Sequence, residues 1–317
     1  MSRRSHLFRI GVCPANAEPT SARQVPPLPA VLGLLLWTSV AVGQTPIAGP
    51  PTAPEPLTAA EATAAAEGMK AEPRHALIVG VSDYEDPRIP DLPVCKADAR
   101  AVHALLTNRK IGGVPPTNAT LLIDEAASQR AVERALNALR AVPRNATVFV
   151  YFSGHGARVG EETFLIPQDA EAEFFSGTSI SQTDLDRYLK RVPAARVVQF
   201  VDACFAAGLR SGPDGTTKAF AADAEAALAS FTGRGRIFFG AAGADEEALT
   251  APDKKRSVFT LHLLDALKGK ADANSDGVVT AFEVAGYLDG SVSAEAAERG
   301  GLHRPRVEIP AADTPAG

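Results

Sequence analysis

Two stretches decide the fold: Val148 to Gly156, V-F-V-Y-F-S-G-H-G, and Val197 to Cys204, V-V-Q-F-V-D-A-C. Each is a continuous run of β-branched and aromatic residues, the pattern of a strand buried on both faces of a parallel sheet. Each is expected to stop at a reactive side chain, the first at His155 and the second at Cys204. Ligands of open α/β sheets bind outside the carboxyl ends of the strands, so two neighbouring strands of this kind would offer an imidazole and a thiol to one crevice. Taken alone, Cys204 reads as an inert buried cysteine and His155 as a loop histidine. Their pairing at two apolar strand ends, with Gly154 and Gly156 flanking the histidine, reads instead as a nucleophile and its base.

Working outward, His75 to Val81 is expected to be a first strand, Cys95 to Leu106 a helix, Ala119 to Ile123 a second strand and Ser128 to Val142 an amphipathic helix closed by Pro143. A loop past His155, an apolar piece from Phe164 to Pro167 and a helix from about Thr183 to Val192 lead to the strand ending at Cys204. Beyond it, Arg236 to Ala242 reads as a strand, Ser257 to Leu267 as a helix and Pro305 to Ile309 as a last strand at a sheet edge. Alternation of this kind predicts an α/β fold, with a mostly parallel central sheet of about six strands and helices on both faces.

The chain has 317 residues, 45% of them hydrophobic, and a formal net charge of −5, which disfavours nucleic acid as a partner. Residues 1–43 read as a targeting segment: arginines at 3, 4, 9 and 23 precede the apolar run Leu28 to Val42, with small residues at Ala41 and Gly43 before Gln44. The segment is either cleaved or kept as an anchor and membrane tether; both imply an exported protein, periplasmic or secreted if cleaved. Residues 44–73, rich in Pro and Ala, read as a linker. Three cysteines, one of them in the leader, do not make a disulfide scaffold.

With His155 ahead of Cys204 by 49 residues, the chain resembles the caspase-like cysteine peptidases, and within them the bacterial metacaspase and paracaspase relatives. The agreement in spacing is with a general caspase signature of a histidine about 50 residues upstream of the cysteine. The resemblance spans roughly Arg74 to Ile309 and is anchored on S-G-H-G at 153–156 and D-A-C at 202–204. It departs after the cysteine, where animal caspases read Q-A-C-x-G and this chain continues Phe205-Ala206-Ala207-Gly208. It implies the caspase fold over residues 74–310, with a large-subunit-like part to about 208, a junction at 209–234, a small-subunit-like part over 235–310 and a tail at 311–317. It further implies peptide-bond hydrolysis with no cofactor needed for the chemistry, the backbone N–H groups of Gly156 and Cys204 forming an oxyanion hole.

Asp202 precedes Cys204 by two, so strand alternation puts it on the same face, where a carboxylate favours a cationic substrate side chain. In metacaspases an acidic pocket for Arg or Lys is built from a C-x-x-D element, the serine of S-G-H-G and this aspartate. The matching residues are Cys95 and Asp98, Ser153, and Asp202; the rival reading of Asp98 is an ordinary acid in the first turn of a helix. The implied substrates are proteins or peptides with Arg or Lys before the scissile bond. By the same logic Arg210, Lys218, Arg234 and Arg236 are candidate self-cleavage points in or beside the junction.

Asp272 to Glu283, D-A-N-S-D-G-V-V-T-A-F-E, matches the twelve-residue EF-hand loop, with oxygen ligands for Ca2+ from Asp272, Asn274, Asp276, Val278, Thr280 and Glu283. Asp, Asn and Gly are also ordinary turn formers, so the same string reads equally as a tight connection between helices. Metacaspases that need calcium use acidic residues elsewhere, where this chain has Ser181-Gln182-Thr183-Asp184. Two rivals to a peptidase stay open: a catalytically silent interaction module of the same fold, and a calcium-binding structural domain.

Overall fold

The computed structural model describes residues 72–160, 162–204, 236–241, 255–298 and 305–308, with Cys204, Arg306 and Glu308 described through the backbone only. The leader, nearly all of the linker and the 209–234 junction, with Arg210, Lys218 and Arg234, lie outside the described residues.

Strands β1 (Arg74–Gly80), β2 (Ala119–Ile123), β3 (Thr147–Val159), β6 (Arg196–Cys204) and β7 (Arg236–Gly240) are parallel, and β8 (Arg306–Glu308) closes one edge antiparallel, in the order β2-β1-β3-β6-β7-β8. This is the mostly parallel sheet of six strands that the apolar runs predict.

Alternation along each strand divides the core in two. Leu77, Val79, Val148, Val150, Phe152, Val197 and Val201 face helices α2 (Gln129–Ala138) and α3 (Gln182–Lys190). Ala76, Ile78, Phe149, Tyr151, Val198, Phe200, Ile237 and Phe239 face α1 (Cys95–Thr107), α4 (Val258–Asp265) and α5 (Ala281–Glu298). Both faces of the central strands are therefore buried, which is why their sequences are unbroken apolar runs rather than alternating ones.

Local chemistry fixes the helices against this sheet. Ser128, Ser181 and Ser257 each cap a helix by accepting an N–H three residues on, at 3.3, 3.0 and 3.0 Å. No side chain of its own flank caps α1; instead Ser82, just past β1, accepts the N–H of Lys96 at 2.9 Å. A Cβ on Gly80 would lie 2.5 Å from the Ala99 Cβ and 2.8 Å from the Cys95 carbonyl, so only glycine lets α1 sit this close to the tip of β1. That approach brings Asp98 over the sheet.

Two expectations are corrected. The strand through Val148 does not end at His155 and give way to a loop. β3 continues to Val159, where it pairs antiparallel with β4 (Glu162–Leu165), which in turn pairs with β5 (Ile180–Ser181). Past the last described rungs, Gly80↔Ser153 and His155↔Cys204, β3 pairs with β4, so its backbone groups are met by the chain folding back on itself. Arg236, a candidate self-cleavage point, opens β7 in register with Val197, and its guanidinium donates to the Val192 carbonyl at 3.3 Å. A peptide bond held in the sheet ladder is not available to a protease. Among the described residues no helix is long and apolar enough to cross a membrane.

Candidate active site

β3 and β6 run in register for nine positions, from Thr147↔Arg196 to Ser153↔Asp202, Gly154↔Ala203 and His155↔Cys204. The histidine and cysteine are thus opposite each other at the last described rung of two adjacent parallel strands.

The backbone at this tip has a definite orientation. Val81 N–H donates to the Ser153 carbonyl at 2.9 Å and Ile166 N–H to the His155 carbonyl at 3.0 Å, so residues 153 and 155 turn their polar backbone groups toward the β1 edge. Gly156, one residue on, turns its N–H to the opposite edge, the one formed by β6.

His155 is held at three points by the loop that follows β1. Its backbone N–H donates to the Tyr84 hydroxyl at 2.8 Å, its ring lies 5.2 Å from the Tyr84 ring, and Nε2 is 2.8 Å from the Pro90 carbonyl oxygen. A carbonyl only accepts, so Nε2 carries the hydrogen and Nδ1 keeps its lone pair. The loop is itself pinned: Tyr84 N–H donates to Asp91 at 3.0 Å, Leu92 N–H to the Ser82 carbonyl at 2.7 Å, and Asp124 accepts Ser82 N–H at 2.7 Å. Burial lowers the pKa of His155, with the Pro90 carbonyl and Asp91 acting against it, so the ring is neutral at neutral pH.

Behind the strand tips lies a buried acidic cluster. Asp98 of α1 and Asp202 of β6 are 0% and 4% exposed. Ser257 links them: its N–H donates to Asp98 Oδ2 at 3.0 Å and its hydroxyl donates to Asp202 Oδ2. Thr260 of α4 donates to the same Asp202 oxygen at 2.6 Å, and the Tyr151 hydroxyl is 2.6 Å from Thr260 Oγ1. Among the described residues Asp98 Oδ1 has no hydrogen-bond partner. Burial first, and the charge of Asp202 second, push the Asp98 pKa up to about 8. Ser153 is buried on the same face as Tyr151, its hydroxyl close enough to bias that phenol yet outside hydrogen-bond geometry. Cys95 is buried one helical turn before Asp98.

The structure therefore brings His155 and Cys204 to one rung, with Gly156 next along β3, and Asp98, Ser153 and Asp202 to one face of the sheet behind it. Motif reading missed Tyr84, Pro90, Ser257, Thr260 and Tyr151. Of these only Ser257 carries a local signal, a serine opening an apolar helical run.

The residues proposed as calcium ligands bond mostly within their own loop, although Glu283 Oε1 is buried without a hydrogen-bond partner among the described residues. Asp272 accepts the N–H groups of Asp276 and Gly277 at 3.1 and 3.0 Å, and Asp276 accepts that of Val278 at 2.8 Å. Asn274 accepts Asp276 N–H at 2.9 Å. Glu283 accepts the N–H and hydroxyl of Thr280 at 2.7 and 2.8 Å while Thr280 Oγ1 accepts Glu283 N–H at 3.2 Å, a reciprocal cap at the start of α5. Ser275 and Gly277 take positive φ, +58° and +80°, to make the turn. Among the described residues no three His, Cys, Asp or Glu side chains are arranged to hold a metal ion.

Comparison with known proteins agrees with this architecture. The family model described as the caspase domain matches residues 73–285. Similar solved structures include the protein GSU0716 from Geobacter sulfurreducens, with 17% identity, a TM-score of 0.52 and coverage of 77% of this chain and 95% of that one. They also include caspase-1 from Spodoptera frugiperda, with 12% identity, a TM-score of 0.50 and coverage of 75% and 86%. A search of curated proteins gave no match.

Proposed function

The chain belongs to the caspase-domain family over residues 73–285, and from that premise we propose that it is an endopeptidase in which Cys204 attacks the scissile carbonyl and His155 serves as its base. The observation that carries this reading is the terminal rung His155↔Cys204, together with the Pro90 carbonyl on Nε2. With Nε2 protonated, Nδ1 takes the thiol proton as the C–S bond forms and returns it to the leaving amine; water then releases the acyl group from sulfur. The N–H of Gly156, directed to the β6 edge, supports its assignment as an oxyanion donor.

The Asp98 and Asp202 carboxylates, with Ser153 and Cys95 beside them, support a preference for Arg or Lys before the scissile bond. A carboxylate oxygen buried without a donor calls for a cation or a proton. Full burial of both acids favours one rival, a purely structural brace joining α1, β6 and α4. The composition of the leader supports export, to periplasm or medium, or anchorage by the uncleaved segment, and the Arg and Lys residues of the junction support self-processing.

The test is peptide profiling of the purified protein with Arg, Lys and Asp reporters, with Cys204→Ala as control and a thiol-reactive peptide ketone as label. Arg and Lys reporters are expected to be cleaved by wild type only. Preference for Asp refutes the pocket. An unreactive thiol with intact fold refutes the peptidase and leaves the silent module.

A further inference from the structure

The two buried acids are not equivalent. Asp202 Oδ2 receives two hydroxyl protons, from Ser257 and from Thr260. Since the single proton of Thr260 goes to Asp202, Tyr151 must be the donor in its contact with Thr260, which gives a directed chain from Tyr151 through Thr260 to Asp202. Three hydroxyls therefore stabilise charge on Asp202, directly or through one relay. Asp98 receives the Ser257 N–H on Oδ2, with the Ser257 hydroxyl, whose proton goes to Asp202, a minor influence, and its Oδ1 is buried without a partner among the described residues. The charged and titratable groups around the pair are Asp98 on α1, Asp202 on β6, Tyr151 on β3 and Arg256 just before α4, whose cation acts on Asp98 weakly compared with burial and Asp202, while Cys95, a turn before Asp98, acts on Tyr84.

A charged Asp98 would be an anion 0% exposed, with one oxygen unpartnered, beside a second anion, and a neutral carboxylic acid costs far less there. We propose that the empty pocket holds a proton on Asp98 while Asp202 carries the charge, and that entry of a substrate's Arg or Lys side chain expels that proton. The inference rests on reading these acids as the specificity pocket. Tyr151, Thr260 and Ser257 are then positioning residues that decide which acid is ionised. The step balances simply: the Asp98 O–H gives its proton to solvent, the substrate cation keeps its own, and an ion pair replaces the neutral acid. Burial beside Asp202, which pushes the Asp98 pKa up to about 8, agrees with this assignment.

The experiment is calorimetric titration of full-length Cys204→Ala with an Arg reporter peptide, repeated in buffers of different ionisation enthalpy. Close to one proton released per peptide is expected at pH 7, with affinity tightening roughly tenfold per pH unit between 6 and 8 and levelling above. In the Asp98→Asn background the release is lost. Thr260→Val is expected to carry the proton release on to higher pH than in wild type and Thr260→Ser to restore the wild-type profile, a readout that a merely structural role would leave unchanged. Peptide binding without proton release overturns the proton assignment and leaves the pocket reading intact. Equal binding of the Arg peptide and its Gln counterpart overturns the pocket, and this inference with it.

Discussion

At the scale of single residues, the site depends on how one imidazole is held. Pro90 fixes which nitrogen carries the hydrogen, and Tyr84 fixes where the ring sits by taking the His155 backbone N–H. Tyr84 is 9% exposed, so replacing it with phenylalanine leaves a largely buried donor without an acceptor, a loss of about 1 to 3 kcal/mol. Tyr84→Phe is therefore expected to lower kcat/KM on an Arg reporter by about tenfold or more. Peptide affinity in the Cys204→Ala background should be unchanged. A fall in affinity with kcat preserved would show that Tyr84 serves the pocket and not the histidine.

His155 and Asp98 titrate in opposite senses. The folded pKa of His155 is lowered, so its contribution to stability is full above the ordinary imidazole range near pH 6.5 and is lost as pH falls below it. That of Asp98 is raised to about 8, so the unfolded chain gives up this proton first, and the native state loses stability as pH rises from about 4 toward 8. Asp98→Asn removes that penalty. Its thermal midpoint is expected to decline less than that of wild type between pH 6 and 8, measured by calorimetric scanning, while Arg cleavage is lost. A steeper decline than wild type would mean the carboxylate braces the fold.

At the scale of elements, the twelve-residue loop between α4 and α5 shows what a string motif does and does not specify. Its acids already accept the loop's own N–H groups, and Thr280 with Glu283 caps α5. Asp272→Ala is therefore expected to lower the thermal midpoint by several degrees with chelator present, as two backbone bonds are lost. A loss that appears only when calcium is added would assign the loop to the ion.

The strands were legible because burial on both faces forbids polar residues in them, and the positions of His155 and Cys204 followed from where the apolar runs end. The overrun of β3 to Val159 was not legible: a hairpin arm outside the main sheet has no two-sided burial to write into its sequence. Nor were the hydroxyls on Asp202, since Ser257 and Thr260 stand 55 and 58 residues beyond it. A serine at a helix start announces a cap, and nothing local announces a second bond across the sheet.

At the scale of the whole molecule, the junction at 209–234 connects two neighbours in the same sheet. β6 and β7 pair in parallel from Val197↔Arg236 to Val201↔Gly240, and Phe200 stacks on Phe239 with ring centroids 5.1 Å apart. Ser257, from beyond the junction, bonds to Asp98 and Asp202, from before it. Cutting the chain within the junction breaks none of these contacts, so the covalent link is not what holds the two parts together. Wild type that processes itself after Arg or Lys there is expected to give two bands on a denaturing gel yet one species of full mass by native mass spectrometry. The Cys204→Ala chain should give a single band. Two bands in the Cys204→Ala chain would assign the cut to another protease. Fragments that separate under native conditions would mean that the β6–β7 rungs and the Ser257 bridge are too weak to act as the joint, and that an intact junction is needed to keep the acidic cluster of Asp98 and Asp202 assembled.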